Sequence, residues 1–311
     1  MSRMVSTFVI VVPAVVGHIL LPISLLSRLW RAAGNDALTW LAARFFAAGY
    51  ISFIYLAGAW SWFGGLCRHA LPALLILIAL TTHPGSSAST YPTRPMSLEL
   101  AVEIVLGAAF AAMTALVLYG RKARAPAIDL VFPLRGGTFQ VGQGGASRFV
   151  NYHFPNPSQR YALDVLRLNA IGIRAWGLYP RQPDRYAIWR TEVVSPCDGV
   201  VAAAVDRFTD LSPPDRDPEN RAGNHLAIEC EGATVYLAHL MRNSMTVRAG
   251  DRVRAGQLLG HVGNSGNTSE PHLHIHAEKG AYPGKFSGMP GIPIRFGGRF
   301  LVRNDRVDAP A

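Results

Sequence analysis

The chain has 311 residues, half of them hydrophobic, a formal net charge of +10 and three cysteines, with a mean hydropathy of +0.18 that is high for a soluble protein. None of Cys67, Cys197 and Cys230 forms a C-x-x-C pair, which argues against a cysteine-based zinc site. The basic balance raises nucleic acid as a partner, yet no helix-turn-helix, zinc-finger or RNA-binding aromatic signature accompanies it, and several arginines flank apolar runs. An anionic membrane surface or an anionic polymer is the expected counterpart, not nucleic acid.

The apolar excess lies before about residue 120. Runs at 5–26, 40–62 and 98–119 approach or exceed the ~20 apolar residues that cross a bilayer as helix, and a shorter run at 70–80 reads as a tight span or a re-entrant piece. The first run is too long for a signal peptide, contains Pro13 and Pro22, and leads to no small-residue cleavage site. Residues 1–120 are therefore expected to form a transmembrane helical region of three or four spans. Arg121, Lys122 and Arg124 after the last run weakly favour a cytoplasmic side for the C-terminal region.

Residues 121–147 read as a linker with entry strands, and 148–311 as a β domain. Short Val/Ile/Leu segments near 192–194, 199–205, 225–230, 234–239 and 257–262 alternate with Gly, Pro, Asn and Asp, the pattern of many short antiparallel strands. Two Val-Arg-Ala-Gly copies, at 247–250 and 253–256, each place a glycine where a tight turn uses positive φ. Residues 207–223, with Pro213-Pro214, read as an exposed loop. Cys197 and Cys230 form a disulfide if the domain is exported, or stand as two half-buried thiols; the sequence leaves both open.

Chemistry concentrates in Pro271-His272-Leu273-His274-Ile275-His276. Side chains alternate along a strand, so three imidazoles at alternate positions share one face. Imidazole is the commonest transition-metal ligand and titrates near neutral pH, so such a strand suits metal binding, acid–base work or both.

Several segments, in order, resemble the lysostaphin-type (LytM-like) zinc endopeptidases that cut peptide cross-links in bacterial cell wall. They are Ala162-Leu163-Asp164, Ser195-Pro196-Cys197-Asp198-Gly199-Val200-Val201, Gly223-Asn224-His225-Leu226-Ala227-Ile228, Tyr236-Leu237-Ala238-His239-Leu240, the 247–266 segment and Pro271-His272-Leu273-His274. The resemblance covers about residues 151–276 and leaves out the membrane half. It implies an antiparallel all-β peptidase domain, a Zn²⁺ cofactor, and peptidoglycan peptides as substrate. It makes Asp164 and His274 metal ligands and His239 and His272 unligated histidines that orient water, move its proton and stabilise the oxyanion. A hydrolytic zinc site needs three protein ligands and an open position.

The third ligand is where the sequence departs. The family's usual histidine four positions before the aspartate is replaced by Arg160, which has no lone pair for a metal. His153, in Asn151-Tyr152-His153, is the upstream candidate, brought back by a loop through Pro155-Asn156-Pro157. Members with a similar Asn-x-His and Gln-Arg-x-Ala-x-Asp segment set the precedent. His276 reads either as a group that orients His274 or His272 or as a solvent-facing residue. Arg160 reads as a contact for an anionic part of the substrate or as the partner of a local carboxylate. His225 and His261 read as structural.

The expected protein is a multi-pass protein of the bacterial cytoplasmic membrane, held in the lipid bilayer by its N-terminal spans. Its zinc peptidase domain would face the periplasm or cell wall. Two other classes remain. One is the same fold with a broken metal site, acting as a wall-binding or regulatory module. The other is a lipoyl-like or phosphotransfer hairpin, which lacks the tip lysine a lipoyl carrier needs.

Overall fold

The computed structural model describes residues 10–31, 36–84, 97–286 and 288–310. The chain separates into a helical unit, Val9–Leu118, and a β unit that runs on from Tyr119.

Four helices are long and apolar enough to cross a membrane: α1 (Ile10–Arg31), α2 (Ala37–Ala57), α3 (Gly64–Thr81) and α4 (Leu98–Tyr119). Their starts and stops reflect local chemistry. Asp36 caps α2, its carboxylate accepting from the backbone N–H groups of Leu38 (3.0 Å) and Thr39 (3.1 Å). The helix ends before Gly58, so the expected run to residue 62 is cut short and Trp60–Trp62 form a separate 3₁₀ turn. The short run at 70–80 sits inside the 18-residue α3, roughly 27 Å long at ~1.5 Å per residue, so it is a full helix of spanning length. Leu66, Leu98, Leu80, Ile76 and Val105 are exposed, a surface that hydrocarbon solvates and water does not. Charged groups pair within the unit: Arg28 bonds Glu99 at 2.6 Å and also pairs with the buried Glu103. His18, in a π-helical stretch of α1, accepts from the Ala59 N–H at 2.8 Å and has a structural role.

The β unit contains β1 (Ile128–Leu130), β2 (Gly137–Gln143), β3 (Leu163–Arg167), β4 (Glu192–Val194), β5 (Gly199–Val205), β6 (Asn224–Cys230), β7 (Ala233–Leu240), β8 (Arg252–Val253), β9 (Leu258–His261), β10 (Leu273–Lys279), β11 (Gly291–Ile292), β12 (Ile294–Phe296) and β13 (Arg306–Ala309). Nine of them make one antiparallel sheet in the order β13-β2-β3-β10-β7-β6-β5-β8, with β11 pairing the far half of β10. β4 pairs β9, and β1 runs parallel to β12. The mostly antiparallel β domain behind apolar helices is the architecture the strand pattern predicts.

One sheet face is apolar. Leu273, Ile275 and Ala277 of β10 join Leu163 and Val165 of β3 and Val235 and Leu237 of β7 in a dry core. Burying each large side chain contributes about 1.5–3 kcal/mol. Gly250 (φ +94°) and Gly256 (φ +81°) close the two Val-Arg-Ala-Gly turns in the left-handed region that glycine enters without a Cβ clash. The 207–223 segment carries no strand, but Asn224 Oδ1 accepts from the N–H groups of Arg207 (2.8 Å) and Phe208 (2.7 Å) and fixes its start.

Cys197 and Cys230 are joined as a disulfide, Cα–Cα 6.4 Å, across 33 positions. A loop of that length contributes roughly 3–4 kcal/mol through the unfolded chain. The Cys197→Ser/Cys230→Ser double variant is expected to lower stability by about that much, and non-reducing peptide mapping of the full chain should recover the linked pair. Free thiols at both positions would contradict the pairing.

Candidate metal centre

Strand register builds the site. β10 lies between β3 and β7, with His274 directly opposite Asp164 on one side and Ala238 on the other. Alternation sends His274, His276 and Glu278 to the face opposite Leu273 and Ile275. The small Ala238 leaves room beside His274. A one-residue slip would put the imidazoles into the apolar core.

His153 reaches this face from a turn rather than a strand. Asn151, fully buried, explains how. Its Nδ2 lies 3.0 Å from the Gly145 carbonyl and 3.1 Å from those of Arg160 and Ala162, while its Oδ1 accepts from the His153 N–H at 3.0 Å. One amide thus ties the His153 turn to the residues that lead into β3. His153 Nε2 then stands 3.1 and 3.2 Å from the two Asp164 carboxylate oxygens, and His274 Nδ1 stands 3.0 Å from Oδ1. Donor atoms of His153, Asp164 and His274 all lie within 4.8 Å of one another, and all three residues are buried.

The two other histidines close the site. His239, next to last in β7, has φ +65°, a left-handed conformation that costs a non-glycine residue about 1–3 kcal/mol and gathers at functional positions. Its Nδ1 donates to the Ser265 carbonyl at 2.9 Å, so Nε2 keeps its lone pair. His272 donates in the same way from Nδ1 to the Glu270 carbonyl, 2.9 Å, with Thr268 Oγ1 at 3.1 Å. Its buried Nε2 has no hydrogen-bond partner among the described residues and faces Asp164 Oδ1 at 3.6 Å. The His239 and His272 rings stand 4.8 Å apart. The segment before His272 is clamped: Arg174, 1% exposed, donates to Glu270 at 2.8 Å, and the Tyr179 hydroxyl donates to the Ser269 carbonyl at 2.7 Å.

Burial pushes His239 well below the usual imidazole range, helped by His272 and His274. Burial also takes His274 down to about 3 against the upward pull of Asp164. For Asp164, burial works upward, but the imidazoles of His153 and His272 and the bonds from His153 and His274 outweigh it and hold the carboxyl well below its usual range. The result is an anionic carboxylate surrounded by imidazoles. Before it lies a cleft of about 270 Å³ whose lining includes Tyr152, Asn156, Arg221, Asn267 and Phe286. A larger concavity near β1 and β12, about 850 Å³, has no histidine among its described lining residues.

The structure therefore brings His153, Asp164, His239, His272 and His274 together. His276 is buried behind them, not solvent-facing. Arg160 has no carboxylate partner among the described residues; its guanidinium sits 5.2 Å from the Phe154 ring centroid, so the local ion pair is not formed. His225 donates to the Gly223 carbonyl at 2.8 Å and lies outside the group, as does His261 in β9. Sequence reasoning misses Arg174, which carries no local signal. It also misses Glu278, which the period-two face of β10 could have revealed.

An antiparallel sheet that collects two imidazoles and a carboxylate within reach of one cation, with two further imidazoles beside them, has the features of a metallohydrolase. Residues 186–285 match the sequence model of Peptidase family M23. This is a family of metallopeptidases whose members cleave peptidoglycan cross-links. The matched segment includes His239, His272 and His274; His153 and Asp164 lie upstream of it. Similar solved structures include a zinc-containing peptidase from Vibrio cholerae (22% identity, 37% of this chain and 46% of that one, TM-score 0.24). They also include the catalytic domain of lysostaphin from Staphylococcus simulans (22%, 37% and 85%, TM-score 0.20). A third is pseudoalterin, a deep-sea M23 metalloprotease (16%, 59% and 99%, TM-score 0.33). The chain thus spans less than half of the Vibrio protein.

Asn151→Ala removes an amide that satisfies several buried backbone groups, at a cost of about 1–3 kcal/mol. Thermal unfolding of the full chain in detergent should show that loss, and an unchanged midpoint would contradict the tie described for the His153 turn.

Proposed function

We propose that this chain is a membrane-anchored zinc endopeptidase that hydrolyses peptide cross-links of bacterial peptidoglycan, with His153, Asp164 and His274 holding Zn²⁺. One observation carries the reading: three buried donors of the right chemistry converge, and two more imidazoles face the same point with free nitrogens. Asp164 Oδ1 stands 3.1 Å from His153 Nε2 and 3.0 Å from His274 Nδ1, and the three donor atoms lie within 4.8 Å of one another, close enough to share one cation. Zinc held there supplies Lewis acidity, activating water at neutral pH and polarising the scissile carbonyl.

The chain's own residues do the rest. Backbone carbonyls fix His239 and His272 in the tautomer that leaves Nε2 unprotonated. One of these nitrogens takes the proton of the attacking water and passes it to the leaving amine. The other, carrying a proton taken up from solvent before the attack, donates to the carbonyl oxygen as negative charge develops. Ser265 and the Arg174–Glu270 clamp hold the two rings without touching substrate.

A second reading, an inactive regulatory or wall-binding module, rests on Arg160 in the usual ligand position. The placement of His153 against Asp164 speaks against it, since it restores a third donor from eleven positions upstream.

Residues 1–120 would serve as the anchor and 148–311 as the peptidase domain, in the bacterial inner membrane. Four spans return the chain to its starting side. We place the β domain outside, in keeping with a wall substrate and with the Cys197–Cys230 disulfide, since disulfides persist in oxidising compartments. A cysteine introduced at the exposed Glu219 should react with an impermeant maleimide in intact spheroplasts; labelling only after lysis would reverse the orientation.

The function is tested by zinc content and by release of peptide from purified sacculi. Wild type should carry one zinc per chain, lost or much weakened in His153→Ala. His239→Ala and His272→Ala should keep zinc while kcat falls by roughly 10²–10⁴-fold, the usual share of acid–base catalysis. A wild type that takes up no zinc would favour the inactive module.

A further inference from the structure

The face of β10 that carries His274 continues through His276 to Glu278, and all three side chains are buried, at 3%, 1% and 1% exposure. His274 Nε2 and His276 Nδ1 are 3.0 Å apart, so one donates to the other. His276 Nε2 is sealed from solvent, has no hydrogen-bond partner among the described residues, and faces Glu278 Oε1 at 3.5 Å. The His276 ring lies flat on Tyr236, 4.6 Å between centroids at 7°, and edge-on to Phe286 at 5.4 Å. Glu278 is anchored in turn: its carboxylate accepts from the N–H groups of Gly288 (3.0 Å) and Met289 (2.9 Å), with the Tyr236 hydroxyl at 3.4 Å.

We propose that Glu278 and His276 are positioning residues that lock His274 in the tautomer able to bind a metal through Nδ1. The direction of each bond is set by what each group can offer. A carboxylate only accepts, so the His276 nitrogen facing it carries the proton and His276 Nδ1 is left as an acceptor. His274 then places its proton on Nε2 and turns its Nδ1 lone pair toward Asp164 Oδ1, 3.0 Å away. At that contact the carboxylate would otherwise accept an Nδ1–H, so the relay favours the tautomer in which a cation takes that proton's place. Metal-bound histidines commonly donate their second N–H to a carboxylate or carbonyl; here an imidazole is interposed and the carboxylate stands one step behind. The proposal rests on the zinc reading for its purpose, though the tautomer chain is fixed by this chain's own groups.

The sharp variant is Glu278→Gln. It keeps the shape and still accepts from Gly288 and Met289, but its amide can donate to His276 Nε2. The tautomers of His276 and His274 then reverse, and His274 Nδ1 acquires a proton. His276→Phe keeps the stack on Tyr236 and removes the acceptor, whereas His276→Gln restores an acceptor for His274. Zinc affinity of the full chain in detergent, by competition with a chromophoric chelator, should fall about 10–100-fold for Glu278→Gln and His276→Phe. His276→Gln should recover most of it. Selective ¹⁵N-histidine NMR of the metal-free chain should show His276 as the Nε2–H tautomer in wild type and as Nδ1–H in Glu278→Gln. Unchanged affinity in both damaging variants, or an Nδ1–H His276 in wild type, would overturn the relay. A wild type that binds no zinc but shows the predicted tautomers would overturn the zinc reading and leave the relay standing.

Discussion

The position of β10 between β3 and β7 is the constraint on which the rest depends. Antiparallel pairing sets His274 across from Asp164 and Ala238 and sets His276 across from Tyr236. Both faces of β10 are buried, so its register is held from two sides: Leu273 and Ile275 fill the apolar core, while the imidazoles must meet their polar partners. A slip would bury unpartnered imidazoles in hydrocarbon and expose leucine to the site, each error costing several kcal/mol. The energy that folds the sheet is therefore the same energy that aims the ligands.

The sheet supplies Asp164, His274 and His239, while His153 and His272 arrive from the segments beside it, and each group has its own restraint. Asn151 brings His153 in, Ser265 and the left-handed backbone orient His239, and the Arg174–Glu270 pair steadies the approach to His272. These are buried polar contacts, where an unpaired partner costs more than the bond itself contributes. They hold the site within narrow geometric limits because any departure leaves a group unsatisfied.

How much of this the sequence reveals varies with the range of the signal. The alternation of His272, His274 and His276 is local and points directly to one face of one strand, and the antiparallel β class and the spanning helices are legible from composition and period. His153 is different. Periodicity gives no reason for a residue eleven positions from Asp164 to join it, and only the resemblance in the Asn-x-His segment nominates it; the physical cause, Asn151 bonding across the turn, exists only in the folded chain. Arg174 is invisible in sequence because its partner Glu270 is 96 positions away. The cysteine pair is undecidable in sequence for the same reason, since it needs the approach of β5 and β6, which pairing supplies. Helix ends fall where a cap or a glycine overrides hydropathy, as at Asp36 and Gly58.

Burial explains why the site combines so many histidines with a single carboxylate. Desolvation disfavours charge on any of them, and it holds His239, His274 and His276 toward the neutral form. Neutral imidazoles are lone-pair donors and proton acceptors, the states that both ligation and base catalysis require. Asp164 resists the same pressure only because positive or proton-donating groups surround it. A second carboxylate beside it would meet like-charge repulsion in a low-dielectric pocket, so further acid is kept behind the imidazoles, as at Glu278, or on the clamp, as at Glu270. A single carboxylate among imidazoles would leave a bound divalent cation with net positive charge, which is what a Lewis acid needs in order to draw electrons from a carbonyl.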